Sequence, residues 1–148
     1  MTISGDSFKM GVSQFIRLTR ENSAGKSSDA ERGGLMVRKT QVEIKQGLRG
    51  GKGEVEIHHI VSKEELNGHG NMYALCRLKP GCSIGWHQHI GNTEPYFILE
   101  GQGTFVDADG SRVEVGPGDV CVIEVGESHA MENNSDKDLV FMALIYNE

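Results

Sequence analysis

From Leu35 onwards the apolar residues come in short runs, many alternating with polar ones, and Gly, Pro, Asn and Asp separate the runs. Alternate residues of a strand face opposite sides, so a period of two marks a strand with one buried face. The pattern predicts strands at Glu54–Val61, Met72–Leu78, Ile84–His89, Pro95–Leu99, Gly103–Asp107, Arg112–Val115, Val120–Val125, Ser128–Asn133 and Leu139–Tyr146. Val37–Ile44 reads as a further strand or a short irregular arm, and Gly47–Gly53 as a glycine-rich loop. Ser62-Lys63-Glu64-Glu65-Leu66 has the capping-box pattern of one helical turn, which Asn67-Gly68-His69-Gly70 ends. Asp109-Gly110 marks a hairpin, while Pro80-Gly81 and Gly116-Pro117-Gly118-Asp119 mark turns. Short strands at regular spacing predict an all-β sandwich or barrel.

The first 34 residues depart from this pattern. Val12, Phe15, Ile16 and Leu18 form one apolar patch within Phe8–Leu18, but Glu21–Gly34 is Ser, Gly and charge with almost nothing to bury. The chain therefore divides into a flexible or arm-like N-terminal extension, 1–34, and a barrel domain, 35–148. The apolar patch has two readings, an arm packed on a partner or a poorly ordered tail.

Composition narrows the class. A chain of 148 residues is long enough to bury a core as one domain. A net charge of −6 and a pI of about 5.5 argue against a nucleic-acid partner. No apolar run approaches the roughly 18 residues that span a membrane, so no membrane partner is expected. Thr2, Ser4 and Asp6 interrupt any secretory leader. Cys76, Cys82 and Cys121 are an odd count without CxxC spacing, which fits reduced thiols and a cytoplasmic location.

Candidate chemistry concentrates in one place. His87 and His89, spaced i, i+2 on a strand, project to one side of a sheet. Ile90-Gly91-Asn92-Thr93 reads as a hairpin connection that folds Glu94 back beside them. Two imidazoles and a carboxylate suit a divalent transition metal, and His129 completes the set if its strand lies alongside.

These residues also carry a resemblance. Gly81, His87, His89, Glu94 and Gly101 match the cupin motif G-x5-H-x-H-x3,4-E-x6-G. Gly118, Gly126, His129 and Asn133 match the second motif, G-x5-P-x-G-x2-H-x3-N, with Glu124 where the family usually has proline. The chain resembles a single-domain cupin, with strand-like flanks extending the similarity to about Glu54–Tyr146. The resemblance implies a double-stranded β-helix, the jelly-roll barrel. It also implies one metal site of His87, His89, Glu94 and His129, taking Mn, Fe, Ni, Co or Zn and leaving a coordination position open for a small molecule. Cupins of this kind commonly pair, so a homodimer is expected. The patch around Phe15 and Ile16, or Leu35–Ile44, is available to cover a neighbour's sheet edge.

The other candidates are weighed by parity. Tyr96 and Met131 share the parity of Glu94 and His129, so they line the cavity or fill the core. Trp86 has the opposite parity and packs outside the barrel or in an interface. Cys76 is read as a buried, inert thiol. His58 and His59 are adjacent and point to opposite faces, and His69 lies in a turn, so none is a ligand. Gly50-Gly51-Lys52-Gly53 precedes a strand, and Gly25-Lys26-Ser27 lacks a convincing helix after it. Neither is a phosphate loop. Glu124 is placed at the barrel rim, with a second-shell base as the alternative.

The function expected is a metal-dependent cupin acting on a small polar metabolite by dioxygenase, decarboxylase or lyase, or isomerase chemistry. The alternative is a non-catalytic metal-dependent binding or sensor module. A general acid or base beside the ligands would favour the enzyme. No cluster of Lys and Arg sits near the motifs apart from Arg77 and Lys79, which weakens a phosphosugar substrate.

Overall fold

The computed structural model of the protein describes Gly11 and residues 37–148. The patch Phe8–Leu18, apart from Gly11, and the polar stretch Glu21–Gly34 lie outside the described residues. The alternation folds into ten strands: β1 (Gln41–Gln46), β2 (Glu54–Val61), β3 (Gly70–Leu78), β4 (Ser83–Gln88), β5 (Asn92–Glu100), β6 (Gly103–Val106), β7 (Arg112–Val115), β8 (Val120–Ile123), β9 (Ser128–Glu132) and β10 (Leu139–Asn147). They form two antiparallel sheets, ordered β1-β2-β3-β10-β5-β8 and β4-β9-β6-β7. This is the expected all-β jelly roll. No helix among the described residues is long and apolar enough to cross a membrane.

The core lies between the sheets. Val55, Ile57, Leu78, Ile98 and Phe141 of the six-stranded sheet meet Ile84, Phe105, Val115 and Met131 of the four-stranded sheet in one buried cluster. Met131 is fully buried there, as the core reading of this residue requires.

Local chemistry closes the connections. Asp109-Gly110 joins β6 to β7, which pair from Gly103↔Val115 to Val106↔Arg112. The Ser62–Glu65 box forms reciprocally, Ser62 N–H donating to Glu65 Oε2 at 2.7 Å and Glu65 N–H to Ser62 Oγ at 3.2 Å. It supports a hydrogen-bonded turn without reaching a helix. Asn133 is a latch. Its buried amide donates to Leu78 O at 2.9 Å and Lys137 O at 2.7 Å, tying the end of β9 to the end of β3.

Three expectations change. The strand expected at Val37–Ile44 begins at Gln41 and pairs with β2 of its own chain, from Gln41↔His59 to Gln46↔Glu54. Of the segment Leu35–Ile44, expected to cover a neighbour's edge, residues 41–44 thus belong to the edge strand of their own sheet. Second, β4 and β5 are not a hairpin. β4 pairs with β9, whereas β5 pairs with β10 and β8, so 89–91 carries the chain from one sheet to the other. Third, β4 ends at Gln88, one residue short of His89.

Candidate metal centre

A bulge aims the first imidazole. β4 and β9 pair at Ile84↔Met131 and again at His87↔His129, three residues on one strand against two on the other. The extra residue falls at Gly85-Trp86 and resets the alternation, so buried Ile84 and His87 both face inward. Trp86 is 49% exposed, outside the barrel as its parity required. Gly85 O accepts a hydrogen bond from His87 Nδ1 at 2.9 Å, which leaves Nε2 as the inward nitrogen.

His89 lies past the strand but is held by backbone bonds. Its N–H donates to Glu127 O at 2.9 Å and its O accepts from Gly126 N–H at 2.7 Å. Gly126 has φ 87, a conformation that glycine takes freely and that lets the chain turn directly into β9. His89 Nδ1 bonds to Asn92 Oδ1 at 2.7 Å, so its Nε2 also points inward. His129 comes from β9 beside His87, and Glu94 from β5 in the opposite sheet.

The structure brings all four side chains together. One donor atom from each of His87, His89, Glu94 and His129 lies within 4.8 Å of the others, and all but half-buried His87 are buried. His89 Nε2 is 3.1 Å from Glu94 Oε2 and 3.2 Å from His129 Nε2, while His129 Nε2 is 3.3 Å from Glu94 Oε2. Bonds of roughly 2.1 Å to a shared ion, at angles from tetrahedral to octahedral, would put ligand atoms about 3.0–3.4 Å apart. Glu94 Oε2 is buried and lacks a hydrogen-bond partner. Lone pairs of two imidazoles and a carboxylate aimed at one point repel unless a cation or shared protons occupy it. The donor set fits a divalent transition ion.

The electrostatics follow from this packing. Burial would raise the Glu94 carboxyl, but the facing imidazoles of His129 and His89 outweigh it and hold it down at about 2. His89 is raised, chiefly by Glu94, with burial and the charge of Arg49 acting against the shift. His87 is lowered, chiefly by burial. Tyr96 lies beside His129 with ring centroids 5.4 Å apart, and burial pushes its phenol well above its ordinary range. Burial also keeps the free thiol of Cys76 protonated. Neither group is a base near neutral pH.

The remaining candidates lie elsewhere. Buried His58 bonds to Glu56 at 2.8 Å, half-buried His59 lies 3.3 Å from Glu43, and His69 is exposed in its turn. Arg77 donates to Asp138 at 2.8 Å and Lys79 is bonded to Glu54, so both of these cations are paired with carboxylates. Glu124 is exposed in the turn before His129. Its N–H donates to Glu127 Oε2 at 2.8 Å, a bond that proline could not make. Sequence reasoning missed Gly85, Asn92 and Arg49. A glycine inside a strand pattern signals a bulge, and an Asn three residues after a ligand is a candidate outer partner. Arg49 had no local signal.

Comparison with known proteins agrees with the fold. Residues 74–145 match the family Cupin_2, Cupin domain. An oxalate-binding protein of Thermotoga maritima is 44% identical over 114 residues, 76% of this chain and 93% of that one. The chain belongs to the cupin family. A crystal structure of a predicted oxalate decarboxylase from Thermotoga maritima is 42% identical, with TM-score 0.72, and covers 77% of this cupin and 100% of its own chain. The polyketide cyclase RemF of Streptomyces resistomycificus shares the cupin fold at 24% identity and TM-score 0.62, over 78% of this chain and 80% of its own.

Proposed function

We propose that this cupin holds a divalent transition metal through His87, His89, Glu94 and His129 and binds a small dicarboxylate of the oxalate class at an open position on it. The observation that carries the metal is the orphaned, buried Glu94 Oε2 facing two imidazole nitrogens. The ligand class is supported by the oxalate-binding relative at 44% identity. A bound ion would supply a Lewis-acidic position for a chelating pair of oxygens. The chain would fix the ligand imidazoles through Gly85 and Asn92 and exclude water with Tyr96, Phe105 and Met131.

Binding without turnover is one reading, supported by Tyr96 and Cys76, which keep their protons and so supply no base at the site. The predicted oxalate decarboxylase among the solved structures supports a second reading, in which oxalate takes up one proton and gives formate and carbon dioxide. The protein is read as cytoplasmic, in keeping with the free Cys76, Cys82 and Cys121. It is also read as a homodimer. The outer face of the six-stranded sheet presents Tyr73, Phe97, Val120 and Val122 to solvent, with Phe97 opposite Val120.

The test is elemental analysis followed by calorimetric titration with oxalate. Wild-type protein is expected to carry one ion per chain and to bind one oxalate. His87→Ala should lose both while keeping its β-rich circular dichroism spectrum. Equal oxalate binding by metal-stripped protein would overturn the reading. Formate release by the wild type would select the second.

A further inference from the structure

Two of the four candidate ligands hang on one connection. His89 lies past the end of β4 and Glu94 is the third residue of β5, so residues 90–93 set the distance between them. An ion binds tightly only where its ligands already stand in place, because ordering them on binding costs entropy.

The connection is held from both sheets. On the four-stranded side, backbone bonds tie His89 to Gly126 and Glu127. On the six-stranded side, the end of β10 runs antiparallel beside it, with Tyr146↔Thr93 and Asn147↔Asn92. Glu148 extends the line. Its N–H donates to Gly91 O at 3.3 Å, and its Oε1 accepts from the hydroxyl of buried Thr93 at 2.7 Å. Thr93 adjoins Glu94, and Asn92 is the residue that fixes the His89 ring.

This end of β10 is anchored in turn, at the turn between β2 and β3. Asn147 N–H donates to His69 O at 2.9 Å and its side-chain amide to Gly68 O at 2.7 Å, while its Oδ1 accepts from Asn71 Nδ2 at 2.9 Å. Asn67 and Gly68 are both left-handed, φ 49 and 80, the conformation that asparagine and glycine adopt most readily. A bulge between Ile145 and Tyr146 sets Tyr146 opposite Gly70, where a Cβ would lie 2.5 Å from Ile145 O. Asn147 and Glu148 are exposed and take no part in the buried core, so their side-chain bonds act on the connection rather than on the barrel.

We propose that Asn147 and Glu148 are positioning residues of the metal centre, a strap that holds residues 91–93 so that His89 and Glu94 stand ready for the ion. This rests on the metal reading above. The strap reaches the His89 ring through Asn92 and the main chain of Glu94 through Thr93.

The experiment titrates metal-stripped full-length protein with manganese and with zinc, in competition with a chelator of known affinity. Urea unfolding of each metal-free variant is recorded alongside. Glu148→Ala and Thr93→Val each remove the 2.7 Å bond, and either should weaken both ions roughly 3- to 10-fold. The double variant should be no weaker than either single one, because one bond is lost in all three. Glu148→Gln keeps an acceptor oxygen and should restore wild-type affinity. Asn147→Ala loses two side-chain bonds and should weaken both ions roughly 10- to 100-fold, with cooperative unfolding retained. Wild-type affinity in Glu148→Ala and Asn147→Ala would overturn the proposal, and so would losses that add in the double variant. A lower urea midpoint with ion affinity intact would make the strap purely structural and overturn it as well. A wild-type protein that takes up neither ion would refute the metal reading itself.

Discussion

Glu94 and His89 oppose each other across the centre, and the proton that Glu94 holds on His89 competes with any ion that enters. Facing Glu94, His89 keeps its proton above the ordinary imidazole value of 6.5, whereas burial strips His87 of its proton below that value. A metal must therefore still displace a proton from His89 at pH 6.5. The association constant is expected to rise with pH, to keep rising above 6.5, and to level off only once His89 is neutral. Below 6.5 the slope steepens as His87 protonates as well. Competition with a chelator of known affinity, from about pH 5.5 to 8.5, measures this slope. An affinity already flat at 6.5 would mean that Glu94 does not hold a proton on His89. Asn92 holds the other nitrogen of the ring, so its contribution reaches the ion through His89 alone.

At the scale of elements, the bulge in β4 and the loop packed on it act as one unit. Gly85→Ala would set a methyl carbon 2.2 Å from Arg49 O, and backbone on both sides cannot retreat. The expected cost is about 1–3 kcal/mol, read as a lower urea midpoint in metal-free protein, together with reduced metal occupancy. A midpoint within about 0.5 kcal/mol of wild type would show that the loop yields. Strands β2 and β7 were legible residue for residue, because alternation is a local property. The partners of β4 and β5 were not. A short Gly/Asn connection looks the same whether it closes a hairpin or hands the chain to another sheet, and the choice is made by distant β9 and β10. The four candidate ligands could be named from motif spacing, but not the sheet each comes from. The start of β1 was blurred because the strand is a largely exposed edge, and the apolar Val37, which suggests an earlier start, lies 86% exposed outside it.

For the whole molecule, the apolar outer face of the six-stranded sheet bears on assembly. Val120 and Val122 alternate on the edge strand β8, next to Phe97 of β5, and burying them on a second copy would remove about 25 cal/mol per Å² of apolar surface from water. Light scattering at tens of micromolar should give twice the 16.2 kDa chain mass, and Phe97→Asp with Val122→Asp should halve it. A wild-type protein of single-chain mass would sink the dimer. The crossover at 89–91 has a mechanical consequence as well. Three imidazoles sit on one sheet or at its end and the carboxylate on the other, so an ion seated among them would rivet two plates whose buried faces otherwise meet through greasy, non-directional packing, with the Asn133 latch at one end. Prising the plates apart and releasing the ion would then be a single event. The ion's residence time becomes a clock for how often the sandwich gapes.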